Sequence, residues 1–119
     1  MRAELAEQVL APIAAAAVVI APSLYASEVA NALRKYVQAG TLGVEAALDR
    51  CAEAIDLIDD FTPDLELTTE ALSEAVWYGH PVHDLLYATL ARRTGCGVLT
   101  LDQRLVTLLG RMGIPSVQI

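Results

Sequence analysis

Glu28, Asp84 and Asp102 are the residues whose types and surroundings could do chemistry, because each carboxylate stands against an apolar run where an uncharged side chain would be the ordinary choice. Carboxylates that come from separate elements and converge on one point are how a hard divalent cation such as Mg²⁺ or Mn²⁺ is held. An ion so held activates water and offsets charge developing on a phosphate. Each acid also has a plainer reading. Glu28 sits at the border of a helical face formed by Tyr25, Val29, Ala32, Leu33 and Tyr36, near Asn31 and Lys35, where an exposed glutamate paired with Lys35 would also be at home.

Asp84 is harder to treat as an ordinary surface acid. It falls among Tyr87, Ala88 and Ala91, while Leu85, Leu86 and Leu90 cover much of the remaining helix surface, and a helix apolar nearly all round is buried. A first-turn acid gains only about 0.3–1 kcal/mol from the helix dipole, which is small against the cost of an unpaired buried carboxylate. A positive group is therefore expected beside it. Asp102 follows Val98-Leu99-Thr100-Leu101 and precedes a helix, so it would serve as an N-cap. The carboxyl end of a strand in an open parallel sheet is also where ligands bind, and one carboxylate can cap through one oxygen and coordinate through the other.

The elements that must position these acids follow from apolar spacing and breakers. A helix is expected over about Ala3 to Ala16, then a short strand at Val18, Val19 and Ile20 ending at Pro22. Ser23 would cap a helix running to about Ala39 and stopping at Gly40. Further helices are expected over Val44–Ile58, over Glu70–Tyr78 closed by Gly79, and from His80-Pro81 to about Thr94. Strands are expected at Leu65–Thr69, Val98–Leu101 and Ile114–Ile119, with a helix over Gln103–Met112. Strands alternating with helices imply an α/β fold with a parallel sheet covered on both faces.

The chain of 119 residues is long enough for one domain with a real core, and 55% hydrophobic content argues for an ordered globule. Val9 to Ala21 is too short to span a bilayer and contains Pro12; Glu4 and Glu7 occupy the region that a secretory signal would make positive. No membrane association is expected. Cys51 and Cys96 match neither a metal spacing nor a disulfide framework, which suits a reducing cytoplasm. His80 and His83 lack the two further ligands of a zinc site. Trp77 and Tyr78 read as core or rim rather than a base-stacking platform, and neither a Gly-rich phosphate loop nor a Ser/His/Asp arrangement is visible.

Net charge is −7, yet ten of the fifteen acids lie between Glu45 and Glu74 with only Arg50 among them, a pattern expected of a solvated helix face. Such acidity argues against a general nucleic-acid binder. Outside that stretch Arg34, Lys35, Arg92, Arg93 and Arg104 leave room for a mildly basic surface around the three singled-out acids.

Three segments together resemble the PIN domain, in particular the VapC-type toxin ribonucleases of prokaryotic toxin–antitoxin pairs. They are Ala21-Pro22-Ser23-Leu24 leading into Ser27-Glu28-Val29-Ala30-Asn31-Ala32-Leu33, then Val82-His83-Asp84-Leu85-Leu86-Tyr87-Ala88, then Leu99-Thr100-Leu101-Asp102-Gln103-Arg104-Leu105, in order over nearly the whole chain. The resemblance implies a Rossmann-like α/β/α sandwich with a mostly parallel sheet. It implies that Glu28, Asp84 and Asp102 are three of the family's four usual acids, holding Mg²⁺ or Mn²⁺ so that a metal-activated water cuts an RNA phosphodiester. Asn31, Arg34, Lys35, Arg92, Arg93 and Arg104 would contact flanking RNA, mostly through phosphates that give affinity without base specificity. A homodimer and a small cognate antitoxin are implied as partners.

The departure from the family pattern is at the start. PIN domains similar to this one begin with a strand carrying the first catalytic aspartate, whereas this chain opens at what would be the following helix, and neither Glu4 nor Glu7 follows an apolar strand. A PIN-like fold lacking its usual first strand is expected, with a weakened metal site. The alternative is a catalytically inactive PIN-fold interaction module whose acids bind a partner's basic segment. A receiver-like regulatory domain, which also uses acids at strand ends, would need a late lysine, and none follows Lys35.

Overall fold

The computed structural model describes residues 18–117. The expected helix over Ala3 to Ala16 and the last two residues of the expected strand Ile114–Ile119 lie outside them. The described residues divide into two compact units, residues 18–62 and residues 63–117.

The first unit contains β1 (Ile20–Pro22), α1 (Leu24–Gln38), α2 (Val44–Asp56) and β2 (Asp60–Thr62). The two strands pair in parallel, with Ile20 opposite Asp60 and Pro22 opposite Thr62. Pro22 has no N–H to give a ladder, a residue tolerated where a strand has an open side, and the next amide, Ser23 N–H, donates to Thr62 O at 3.0 Å. At the other end Asp59 makes a reciprocal clasp: its N–H donates to Val19 O at 2.8 Å and its Oδ2 accepts from Val19 N at 2.7 Å. Helix α1 packs on α2, and Tyr25 Oη donates to Ala54 O at 2.8 Å while its ring lies 6.1 Å from that of Phe61. Ser23 occupies the N-cap position, but its side chain makes no cap; its hydroxyl donates instead to Thr62 O at 3.2 Å.

The second unit contains α3 (Thr68–Tyr78), α4 (Val82–Thr94), β3 (Val98–Leu99), α5 (Gln103–Met112) and β4 (Ser116–Val117). β3 and β4 pair in parallel, Val98 opposite Ser116. Gly79 at φ +70° stops α3, and Pro81 then stands just before the first residue of α4. Such a left-handed position suits glycine because it has no Cβ to clash. The core is supplied by Leu67, Leu85, Leu108 and Leu109, each fully buried, with Leu86 and Leu90 nearly so. The described residues are therefore α/β and mostly helical, with short parallel strands in two two-stranded sheets, one in each unit.

One expected strand is corrected. Leu65–Thr69 is a 3₁₀ turn over Asp64–Glu66 leading into the first turn of α3, and Leu65 is 89% exposed. Pro63 and the Asp64 carbonyl decide this locally: Glu66 N–H donates to Pro63 O, and Leu67 N–H and Thr68 Oγ1 both donate to Asp64 O, at 2.9 and 2.7 Å. The strand falls earlier, at Asp60-Phe61-Thr62, inside the stretch that reads as a solvated acidic face. Helix α2 accordingly ends at Asp56 rather than Ile58.

Candidate functional site

Asp84 occupies the first turn of α4, where its N–H donates to Pro81 O at 3.2 Å. It is 8% exposed and is the one charged residue in the core among the described residues. Where a positive neighbour is expected stand two imidazoles, which carry charge only when protonated: His83 Nε2 lies 3.5 Å from Oδ1 and His80 Nδ1 lies 3.9 Å from Oδ2. Both separations are long beside the 2.7–2.9 Å typical of a charge-assisted hydrogen bond. His80 Nδ1 is itself buried without a hydrogen-bond partner. The side chains differ in access, His83 being 55% exposed against 16% for His80 and 11% for Asp84. Asp84 thus has one solvent-facing imidazole and one enclosed one. Two residues set aside as an incomplete zinc set instead flank the buried acid.

Asp102 takes the N-cap of α5, as its sequence position requires. Its Oδ1 accepts from Arg104 N at 2.9 Å, and its own N–H donates to Thr100 Oγ1 at 3.0 Å, fixing the corner between β3 and the helix. Asp102 is exposed, and the cap uses one of its two oxygens. Glu28 lies exposed in α1, in the first unit, while Asp84 and Asp102 belong to the second. Among the described residues no group of three or more His, Cys, Asp or Glu side chains is placed to hold a metal ion.

The cationic residues divide into two sets. Asn31, Arg34 and Lys35 lie exposed on α1, where Arg34 Nε donates to Asn31 Oδ1 at 3.3 Å. Arg104 is exposed at the start of α5. Arg92 and Arg93 are instead turned onto α3: Arg92 Nη2 donates to Glu70 Oε1 at 2.9 Å and Glu74 Oε1 at 2.6 Å, Arg93 Nε donates to Glu70 Oε2 at 2.9 Å, and Arg93 Nη1 donates to Glu66 O at 2.9 Å. Their charge is largely spent on clamping α3 to α4, so as phosphate contacts they would have to break these pairs. Glu70 and Glu74 correspondingly are not a merely solvated face. Burial acts to raise the Glu70 carboxyl, but the hydrogen bonds from Arg92 and Arg93 outweigh it and hold it below the usual range. Arg92 is pushed higher, first by its bond to Glu74 and then by that to Glu70.

Two features escape sequence reasoning. Arg111 stacks on Tyr78, its guanidinium carbon 5.2 Å from the ring centroid and its Nη1 donating to Tyr78 O at 3.4 Å, which ties the end of α5 to the end of α3. A separation of 33 residues leaves no local signal for it. Trp77, read as core or rim, is 81% exposed and borders a shallow depression with Ser73, Glu74, Val76, Tyr78 and Arg92. No family model matches this sequence, and no curated protein matches it.

Proposed function

We propose that this chain is a metal-dependent endoribonuclease of the PIN-domain toxin type, built on a PIN-like α/β/α sandwich and hydrolysing RNA phosphodiesters. The observation that carries the reading is Asp84, a carboxylate held at 8% exposure beside the buried Leu85, Leu86 and Ala88, with two imidazoles near it. A helix of this kind would be more stable with a leucine there, since burying a carboxylate without close partners is costly. Such a cost is commonly borne where the group has a chemical task. Asp102, just beyond the carboxyl end of β3, and Glu28, in the segment that resembles the PIN domain, are the other two acids of the reading. Mg²⁺ or Mn²⁺ would be the ion, and it would supply an activated water and charge neutralisation at the phosphate.

RNA and a small antitoxin are the proposed partners. An antitoxin arginine aimed at the acids would make a charge-assisted contact that such a site accepts readily. A second reading, a catalytically silent interaction module, is favoured by the exposed Trp77 and its apolar neighbours on α3, which have the composition of a binding surface.

Cleavage of a mixed RNA substrate with Mg²⁺ or Mn²⁺ tests the first reading. Cutting that needs the metal and is lost in Asp84→Asn is the expected result. An Asp84→Asn protein that cuts as well as the parent sinks it. Binding of a basic peptide that persists in chelator, from folded protein that cuts nothing, would move the function to the interaction module.

A further inference from the structure

Trp77 stands at a depression that Ser73, Glu74, Val76 and Tyr78 of α3 and Arg92 of α4 complete. Its volume of about 510 Å³ falls within the range of small-ligand sites. Trp77 is 81% exposed, although tryptophan is among the side chains with most apolar area to bury. Tyr78 already carries the Arg111 guanidinium on its ring, so the indole is the ring left for a ligand. Exposed aromatic surface beside a cavity marks a place where a planar or apolar group is received.

The polar side of the depression decides which group that is. Glu74 lies three residues before Trp77 and Ser73 four, so both are neighbours of the indole on the helix surface. Glu74 Oε1 accepts from Arg92 Nη2 at 2.6 Å, which sets a carboxylate and a guanidinium side by side. Arg92 also donates to Glu70, and Glu70 accepts from Arg93 as well, so two carboxylates and two guanidiniums balance. Such a neutral cluster draws neither a basic peptide nor a phosphate. It offers hydrogen bonds in a set order: Glu74 Oε2 accepts, Oε1 accepts, and the Arg92 guanidinium donates. Among the four RNA bases only guanine has the complementary order on its Watson–Crick edge, with the N2 and N1 donors followed by the O6 acceptor. Uracil has one donor between two acceptors, and adenine and cytosine place an acceptor beside their amino group.

We propose that this depression is a subsite for an unpaired guanine of single-stranded RNA, the base stacked on Trp77 and its Watson–Crick edge set against Glu74 and Arg92. The choice of a nucleobase among planar ligands rests on the proposed RNA substrate; the choice of guanine rests on the order of donors and acceptors. Unpaired bases are read in this way, stacked on an aromatic side chain and hydrogen-bonded along that edge. Arg92 keeps both carboxylate partners in this arrangement, because those bonds use Nη2 and the guanidinium has five N–H groups. Contact with a phosphate would instead cost Arg92 those pairs. Trp77 thereby becomes a base-stacking platform, a role its sequence position did not suggest.

Trp77 is the only tryptophan in the chain, so its emission reports on this depression alone. The test follows that emission while the full chain is titrated, in chelator so that nothing is cut, with short uridine oligonucleotides carrying one central guanosine, one central inosine or neither. Inosine keeps N1–H and O6 and lacks the N2 amino group. The expected result is quenching in which the guanosine oligonucleotide reaches half-saturation at a concentration at least about fivefold below the other two. Glu74→Gln, which sets an amide NH₂ against a guanine donor, is expected to erase that preference with circular dichroism unchanged. Should Glu74→Gln lose the folded spectrum, the guanosine–inosine comparison on the parent protein carries the test by itself. Emission that no oligonucleotide moves, equal half-saturation for guanosine and inosine, a folded Glu74→Gln that keeps the preference, or emission moved by a basic peptide and not by RNA each overturns the proposal. Guanine binding by a protein that cuts nothing in Mg²⁺ or Mn²⁺ removes the ribonuclease reading and leaves this one standing, whereas metal-dependent cutting with a silent tryptophan does the reverse.

Discussion

Glu70→Ala tests the α3–α4 clamp, and the structure sets its expected magnitude. The carboxylate takes two guanidinium hydrogen bonds at 2.9 Å, from Arg92 and Arg93. After its removal Arg92 keeps Glu74 and Arg93 keeps the Glu66 carbonyl, so neither cation is stranded. The side chains of Glu70, Arg92 and Arg93 are 33%, 38% and 45% exposed, so water replaces much of what is lost. Exposed pairs contribute about 0.2–1 kcal/mol each, and two on one carboxylate in a network bring the expected loss to about 1–1.5 kcal/mol at low ionic strength. That corresponds to a fall in the thermal midpoint of roughly 4–6 °C for a chain of this size.

The same carboxyl gives the prediction a pH signature. Its value in the folded protein lies below the ordinary 4.5, so the stabilisation is complete above the unfolded-state value and is lost as pH falls through the folded one. Thermal unfolding of parent and Glu70→Ala should therefore differ at neutral pH and converge as the pH is taken below about 4. The gap should also narrow in about 1 M salt. A loss above about 3 kcal/mol would show a desolvated pair rather than this one. A loss that ignores both salt and pH would refute the clamp altogether.

The remaining predictions concern packing, backbone and a phenol. Leu108→Ala removes a fully buried side chain from the second unit's core and is expected to cost about 2–5 kcal/mol in urea unfolding. Gly79→Ala meets nothing within 4 Å of the added Cβ, so the loss reflects only the left-handed backbone at φ +70°, about 1–2 kcal/mol, and Gly79→Asn should lose less. Burial first, and then Cys51, pushes the Tyr25 phenol above its ordinary 10.0. Its neutral form is therefore favoured by folding, a contribution present below the unfolded value and lost as pH rises through the folded one. Tyr25→Phe should abolish that alkaline step in an absorbance titration and cost about 1 kcal/mol for the lost bond to the Ala54 carbonyl.

What could be read beforehand depended on how local its cause was. Asp102 is legible because a cap is a contact between a side chain and an amide two residues on, and Arg104 N–H supplies it. Asp84 is legible because Leu85, Leu86, Tyr87 and Ala88 beside it read as a buried turn of helix that carries the acid inward with it. Asp60-Phe61-Thr62 was not, because two acids precede the apolar residue and only pairing with Ile20–Pro22, 40 residues away, makes it a strand. Leu65–Thr69 failed the other way: alternation and threonines suggest a strand, but Pro63 and the Asp64 carbonyl capture the chain as a turn. Arg92 and Arg93 looked available for phosphates because their partners lie 18 to 23 residues back on a different helix. Tryptophan's usual burial concealed the exposure of Trp77.

The two parallel pairings differ in what they ask of the folding chain. Joining β1 to β2 closes a loop of 40 residues, Ile20 to Asp60, whereas joining β3 to β4 closes one of 18, Val98 to Ser116. Loop-closure entropy grows as the logarithm of length, so the longer closure costs only about 0.7 kcal/mol more. The larger difference lies in what precedes each pairing. α3 and α4 are joined by three residues and form the most extensive helix contact among the described residues, so the second unit can begin from a helical hairpin assembled by neighbours in sequence. Such local assembly favours early formation, and it would put Asp84, at the turn of that hairpin, among the first residues to reach its final surroundings.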